Sequence, residues 1–139
     1  MGDGVKLRNL NIVCEGDNNT ITIGTGTYIG SKSEFAVTEG SKLFIGNNCL
    51  IAHSCIFRTT DSHMIHNLTE EEPINPVEDI LIGDHVWIGL QSLILKGAHI
   101  PDDCIIGARS MITRKTEAEK YCILAGQPAR IIKRNVKWS

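Results

Sequence analysis

One spacing constrains this chain more than any other feature: from residue 82 onward every sixth position is isoleucine, at Ile82, Ile88, Ile94, Ile100, Ile106 and Ile112. An α-helix rotates such a set around its axis, because 3.6 residues complete a turn, and a plain strand alternates with period two. The period therefore belongs to a shape in which each six-residue unit repeats the course of the one before. The units read "IGDHVW", "IGLQSL", "ILKGAH", "IPDDCI" and "IGARSM", and the pattern returns upstream in "IGTGTY", "IGSKSE", "IGNNCL" and "IAHSCI". A large aliphatic residue comes first, usually a small one second, then two polar residues and another small one. Each unit reads as a short strand and a corner, with glycine in the second slot easing a tight bend. A strand so short cannot bury its face alone, so the units must stack and set each isoleucine on another.

Composition supports strands. The 139 residues suit one domain, 1–139, and 42% are hydrophobic although only 5% are aromatic, so the interior is built from stacked β-branched aliphatics. The expected fold is all-β: a parallel β-helix of roughly five coils, on the order of 24 Å tall at about 4.8 Å per strand. Fourteen basic and sixteen acidic residues give a net charge of -2 with no long single-sign run, which argues against a nucleic-acid or anionic-membrane surface. No run approaches the roughly 18 apolar residues of a membrane span, and "MGDGVKLRNL" lacks the apolar core of a signal peptide, so a cytoplasmic location is expected. Five cysteines with no C-x-x-C pair point away from a disulfide framework and from structural zinc. Cys14, Cys49, Cys55 and Cys104 each follow a large aliphatic residue by four, the slot held elsewhere by Val86, Ser92, Ala98 and Ser110, so cysteine acts as a small filler.

The period breaks between Phe35 and Ile45, and again between Phe57 and Ile82. In the second break "HMIHNLTEEEPINPVED", residues 63–79, carries two prolines and an acidic triplet, the mark of a loop extruded from a corner and a place where solenoids carry function. After Thr113 the repeat stops. Residues 114–139 read as a cap, with Pro128 opening a short C-terminal helix in "PARIIKR".

Four pieces, "TTDSHMI", "PINPVEDILIGDHVWIG", "IIGARSMIT" and "AGQPARIIKR", together with the repeat, resemble the hexapeptide-repeat acetyltransferases, in particular the maltose, galactoside and polysaccharide O-acetyltransferases. The resemblance implies a left-handed helix with three units per turn, acetyl-CoA as acyl donor and no metal. It also implies a sugar or polysaccharide acceptor and a homotrimer with active sites between subunits. His63 of "DSH" matches the general base. The chemistry agrees, since an acceptor hydroxyl must lose its proton as it attacks a thioester, and an imidazole near pKa 6.5 suits that task. Asp61 would share a side with His63 in an extended segment and orient its ring. Trp87 matches a tryptophan beside the pantetheine arm. Gly89, Gly107 and Ala108 are candidates for backbone contact with the coenzyme, and an amide near Gly89 for the oxyanion. Thr113, Arg114, Lys115 and Arg130 are candidates for its nucleotide end. Arg109, where glycine is usual, and "TEAEKYC", where "IPxNS" is usual, depart from the family pattern. Alternatives are N-acetylation of an amino sugar and a non-catalytic scaffold or sugar-binding module. A zinc carbonic anhydrase on this fold is disfavoured, because no His-x4-His pair is present.

Overall fold

The computed structural model describes residues 1–139 and contains strands only. In chain order these are β1 (Lys6–Leu7), β2 (Asn11–Glu15), β3 (Thr20–Ile23), β4 (Tyr28–Ile29), β5 (Glu34–Thr38), β6 (Lys42–Ile45), β7 (Leu50–Ile51), β8 (Ile56–Arg58), β9 (Ile80–Ile82), β10 (Trp87–Ile88), β11 (Leu93–Leu95), β12 (His99–Ile100), β13 (Ile105–Ile106), β14 (Met111–Ile112), β15 (Cys122–Gly126) and β16 (Ala129–Arg134). Up to β14 every third strand stacks in parallel on its predecessor, which gives three faces. The first face runs β1-β4-β7-β10-β13-β15-β16, the second β2-β5-β8-β11-β14 and the third β3-β6-β9-β12. The result is a left-handed parallel β-helix of about five turns.

The stacking is in register, so the six-residue spacing becomes vertical rows. Ile29, Ile51, Ile88, Ile106 and Leu124 line the first face inward, Phe35, Phe57, Ile94 and Ile112 the second, and Ile23, Ile45, Ile82 and Ile100 the third. All are buried. At about 1.5–3 kcal/mol for each large side chain removed from water, these rows are the chief source of stability. Phe35 and Phe57 meet edge-to-face with centroids 4.9 Å apart, filling the wider lower coils where the strands of the second face are longest.

The corners correct one expectation. The bend does not fall at the second-slot glycine but two residues later, where Asn48, Ser54, His85, Gln91, Asp103 and Arg109 all take positive φ between 52° and 59°. The glycine serves the stacking instead. A Cβ on Gly89 would lie 2.6 Å from the amide nitrogen of Ala108 and 2.7 Å from the carbonyl oxygen of Ile106, in the coil above. The small fifth slot is as expected: Cys49, Cys55, Val86, Ser92, Ala98, Cys104 and Ser110 are buried. Cys122 joins them, and Cys14, in the lowest coil, is exposed. Burial pushes the thiols of Cys49 and Cys55 up, and that of Cys104, which also faces Cys122 Sγ at 3.8 Å, to about 12. Thiols held so far above neutrality are fillers rather than nucleophiles.

Both breaks in the period lie at one corner, between the second and third faces. Residues 59–79 emerge there, between β8 and β9, and are largely exposed. The expected C-terminal helix is absent. "PARIIKR" forms β16, antiparallel to β15 around the turn at Gln127 and Pro128. Cys122 and Leu124 continue the inner rows as one more rung, which leaves an open sheet edge, and Ala129–Arg134 covers it. An unpaired edge outweighs the local helix cue.

Candidate active site

The loop begins where Thr59 and Thr60 are still buried and Glu78 N donates to Thr59 O at 3.1 Å, closing its base. Its two limbs pair at His66 and Pro73, and Ile74 N donates to Ile65 O at 2.8 Å. His63 sits on the outgoing limb, exposed, beside a cavity of about 190 Å³ that it shares with Glu39, Thr60, Ser62, Met64 and Asn75. Its ring makes no hydrogen bond within the chain, while its carbonyl accepts one from Asn75 Nδ2 at 2.9 Å. The imidazole is therefore without a partner in the chain, and its backbone is held.

Asp61 is near His63 in sequence but is turned elsewhere. Its Oδ2 accepts from Lys96 Nζ at 2.6 Å and from Asn75 Nδ2 at 2.9 Å, and no hydrogen bond joins it to the His63 ring. The Lys96 ammonium, followed by the Asn75 amide, holds the Asp61 carboxyl below the usual carboxylate range. The carboxylate that does meet an imidazole is Asp103, whose Oδ1 lies 2.9 Å from His85 Nδ1. Trp138 stacks on that ring, with centroids 4.2 Å apart and planes 8° off parallel, and its indole N–H donates to His85 O at 2.9 Å.

Asp61 and Lys96 also line a second cavity of about 350 Å³, together with Asn75, Glu78 and the expected nucleotide-binding trio Thr113, Arg114 and Lys115. The trio lies at the loop's own corner, two coils above it. Lys115 N donates to Thr113 Oγ1 at 3.2 Å, and Arg114 pairs with Glu78 at 2.8 Å. A further depression joins Lys115 to Arg130 and Arg134, so Arg130 belongs to the same cationic side. The remaining expected residues are elsewhere. Trp87 projects from the first face, and Gly89, Gly107 and Ala108 stack at the corner between the first and second faces. Gly89 N already donates to Ile106 O and Gly107 N to Leu124 O, both at 2.8 Å, so neither amide is free for an oxyanion. One subunit thus carries the expected residues on two separate sides of the column.

Sequence reasoning missed Lys96 and Asn75. Lys96 fills an ordinary polar slot of "ILKGAH", and only the Asn-Pro turn signal in "PINP" marked Asn75. No three His, Cys, Asp or Glu side chains gather into a group that could hold a metal ion.

Fold and loop together define a hexapeptide β-helix bearing one long corner loop. The repeat profile described as the hexapeptide repeat of succinyl-transferase matches residues 80–114. The chain is 36% identical over 133 residues to the polysialic acid O-acetyltransferase of Neisseria meningitidis, covering 95% of this chain and 61% of that protein. It is 34% identical over 119 residues to the polysialic acid O-acetyltransferase of Escherichia coli O1:K1 / APEC, covering 86% of this chain and 38% of that one. A crystal structure of a polysialic acid O-acetyltransferase superposes with a TM-score of 0.85 at 33% identity, covering 99% of this chain and 68% of the other. A hexapeptide-repeat acetyltransferase of Vibrio cholerae O1 biovar eltor, solved with acetyl coenzyme A, superposes with a TM-score of 0.68 at 25% identity, covering 95% of this chain and 71% of that one. The chain belongs to the hexapeptide-repeat acetyltransferase family. It spans 38% and 61% of the length of the two polysialic acid O-acetyltransferases it matches.

Proposed function

We propose that the protein is an acetyl-CoA-dependent O-acetyltransferase acting on a sugar hydroxyl of a polysaccharide or its precursor, with His63 as general base. The observation that carries this is the placement of His63: an exposed imidazole without a partner, on a backbone held in place, at the corner where a cavity lined by Thr113, Arg114 and Lys115 opens. Polysialic acid, named in the relatives, is the first acceptor class to try. Lys115 and Arg130, beside Arg114 paired to Glu78 and Arg134 paired to Glu119, fit the phosphates of coenzyme A. The coenzyme supplies an acetyl group activated as a thioester. His63 takes the proton of the acceptor hydroxyl as its oxygen bonds to the acetyl carbon, and returns a proton to the departing thiolate. Asp61, paired to Lys96, acts on the loop rather than on the ring.

Because Trp87, Gly89, Gly107 and Ala108 lie away from the loop, a complete site calls for a neighbouring subunit that presents them to His63. The assembly we propose is a homotrimer, packed through faces such as the first, whose outward row is Tyr28, Leu50, Trp87, Ile105 and Ile123. The location we propose is cytoplasmic, where acetyl-CoA would be at hand.

The test is thiol release from acetyl-CoA across polysialic acid, neutral sugars, nucleotide sugars and amino sugars, with His63→Ala alongside. His63→Ala should lower turnover about 100-fold or more with coenzyme affinity nearly intact. Unchanged turnover removes His63 from the mechanism. Release with amines alone moves the function to N-acetylation, and a chain that does not bind acetyl-CoA in calorimetry is a scaffold.

A further inference from the structure

Lys96 is a cation of the loop corner largely withdrawn from solvent, its side chain 16% exposed. It lies in the coil above the loop, just after β11, and reaches down into the loop's base. Its ammonium donates to Asp61 Oδ2 at 2.6 Å and to the carbonyls of Asn75 and Pro76, each at 3.0 Å. An ammonium has three protons and accepts nothing, so these three partners saturate it and leave none for a phosphate or a substrate. A half-buried ammonium with all three donors satisfied is held in place, because losing one partner leaves a donor unpaired.

Asn75 carries the effect onward. Its Nδ2 donates to Asp61 Oδ2 and to His63 O, each at 2.9 Å, and its Oδ1 accepts from Ile65 N at 2.6 Å. The side-chain amide therefore brackets His63, holding the carbonyl of residue 63 and the amide of residue 65. The chain of contacts runs from a rigid coil through Lys96 to Asp61 and Asn75, and from Asn75 to the backbone on both sides of His63. None of it touches the imidazole.

We propose that Lys96 and Asn75, with Asp61 between them, are positioning residues that fix the backbone of His63 relative to the solenoid. The inference rests on the reading of His63 as the base. Misplacing a base by about 1 Å costs on the order of 100-fold in rate. Lys96→Met, which keeps the buried stem and removes the donors, should lower kcat by about 10- to 100-fold with acetyl-CoA affinity and acceptor KM within about twofold of wild type. Asn75→Leu should act in the same direction, and Lys96→Arg should restore part of the loss.

The closing experiment combines turnover, with acetyl-CoA and polysialic acid as probes, with hydrogen exchange on the full chain. The proposal expects faster exchange at the Ile65 and Ile74 amides in Lys96→Met and in Asn75→Leu, with the amides of Ile88 and Ile106 unchanged. It also expects Lys96→Met to add no further loss in a His63→Ala background, because its effect passes through that residue. Loop exchange at the wild-type rate in both variants overturns the proposal, whatever the acceptor. So does an additional loss in the double variant, which would make Lys96 a direct participant. If His63→Ala itself keeps full turnover, the reading beneath the proposal fails and its catalytic claim falls with it, an outcome that the exchange data separate from failure of the anchor alone.

Discussion

The three corners of this column are built from the same chain but obey different rules. Between the first and second faces, and between the third and first, each passage from one inward residue to the next takes six residues from the second coil upward, as from Ile29 to Phe35, Ile51 to Phe57, Ile88 to Ile94 and Ile45 to Ile51. Between the second and third faces Ile12 to Ile23 takes eleven, Phe35 to Ile45 ten and Phe57 to Ile82 twenty-five, and only Ile94 to Ile100 returns to six. The first two corners are confined by the backbone of the coil above, which leaves second-slot glycines no room for a side chain. The third carries the insertions, the loop histidine and the Lys96–Asp61 ion pair. Regular stacking and the insertions are thus assigned to different edges of one prism.

Excising the third corner should separate the two most sharply. Replacing residues 62–74 by a short turn, which keeps Asp61, Asn75 and Pro76 around Lys96, should lower acetyl transfer at least about 100-fold, while calorimetry shows the thermal midpoint within a few degrees of wild type. A large drop in that midpoint would show that the loop helps to hold the coils. Next comes a pair of glycine substitutions read by urea denaturation. Gly89→Val puts atoms into the backbone above and should cost about 1–3 kcal/mol. Gly40→Ala, at the third corner, meets nothing nearer than Asp17 O at 3.5 Å, so only its φ of 77° is penalised, by about 1 kcal/mol. Equal costs would erase the distinction between corners. Smaller still is Trp138→Ala, which removes a stacked, partly exposed indole from His85 and should cost about 0.5–1.5 kcal/mol in the same titration, with no change in loop exchange.

The last prediction concerns pH. The Asp61 carboxyl lies below its unfolded value because Lys96, and then Asn75, favour the ionised form. Its contribution to the loop is therefore fully present above about pH 4 and is lost as pH falls through the folded value. Loop amides should exchange faster on acidification than the intrinsic rate requires, and Asp61→Asn should remove that acid dependence. The effect is modest, because Asp61 is partly exposed and solvent screens the pair.

Much of this was legible in the sequence because the repeat reports on itself. A residue at position n predicts its neighbours at n+18 wherever the coils are regular, so the rows from Ile82 to Ile112 and the cysteine slots could be read directly. The loop showed itself by where the period lapsed. The C-terminal strand did not, since Pro128 and the basic residues after it satisfy a local helix rule, whereas the deciding factor was the open edge of β15. Asp61 was placed beside His63 by adjacency along an extended segment. Its partner in space is Lys96, thirty-five residues on, which no local rule could supply. His63 is proposed from the "DSH" resemblance and the logic of proton removal, not from the period.

The reversed strand at the top has a consequence for how such columns avoid growing into rods. Each rung of the first face offers its successor the same parallel template, and nothing in the rows of isoleucine counts to five. β16 runs the other way, and its exposed Lys133 and Arg134 are what an approaching chain would meet. The hairpin acts as a stopper: it ends the template on that face with a strand of the wrong polarity and a pair of charges.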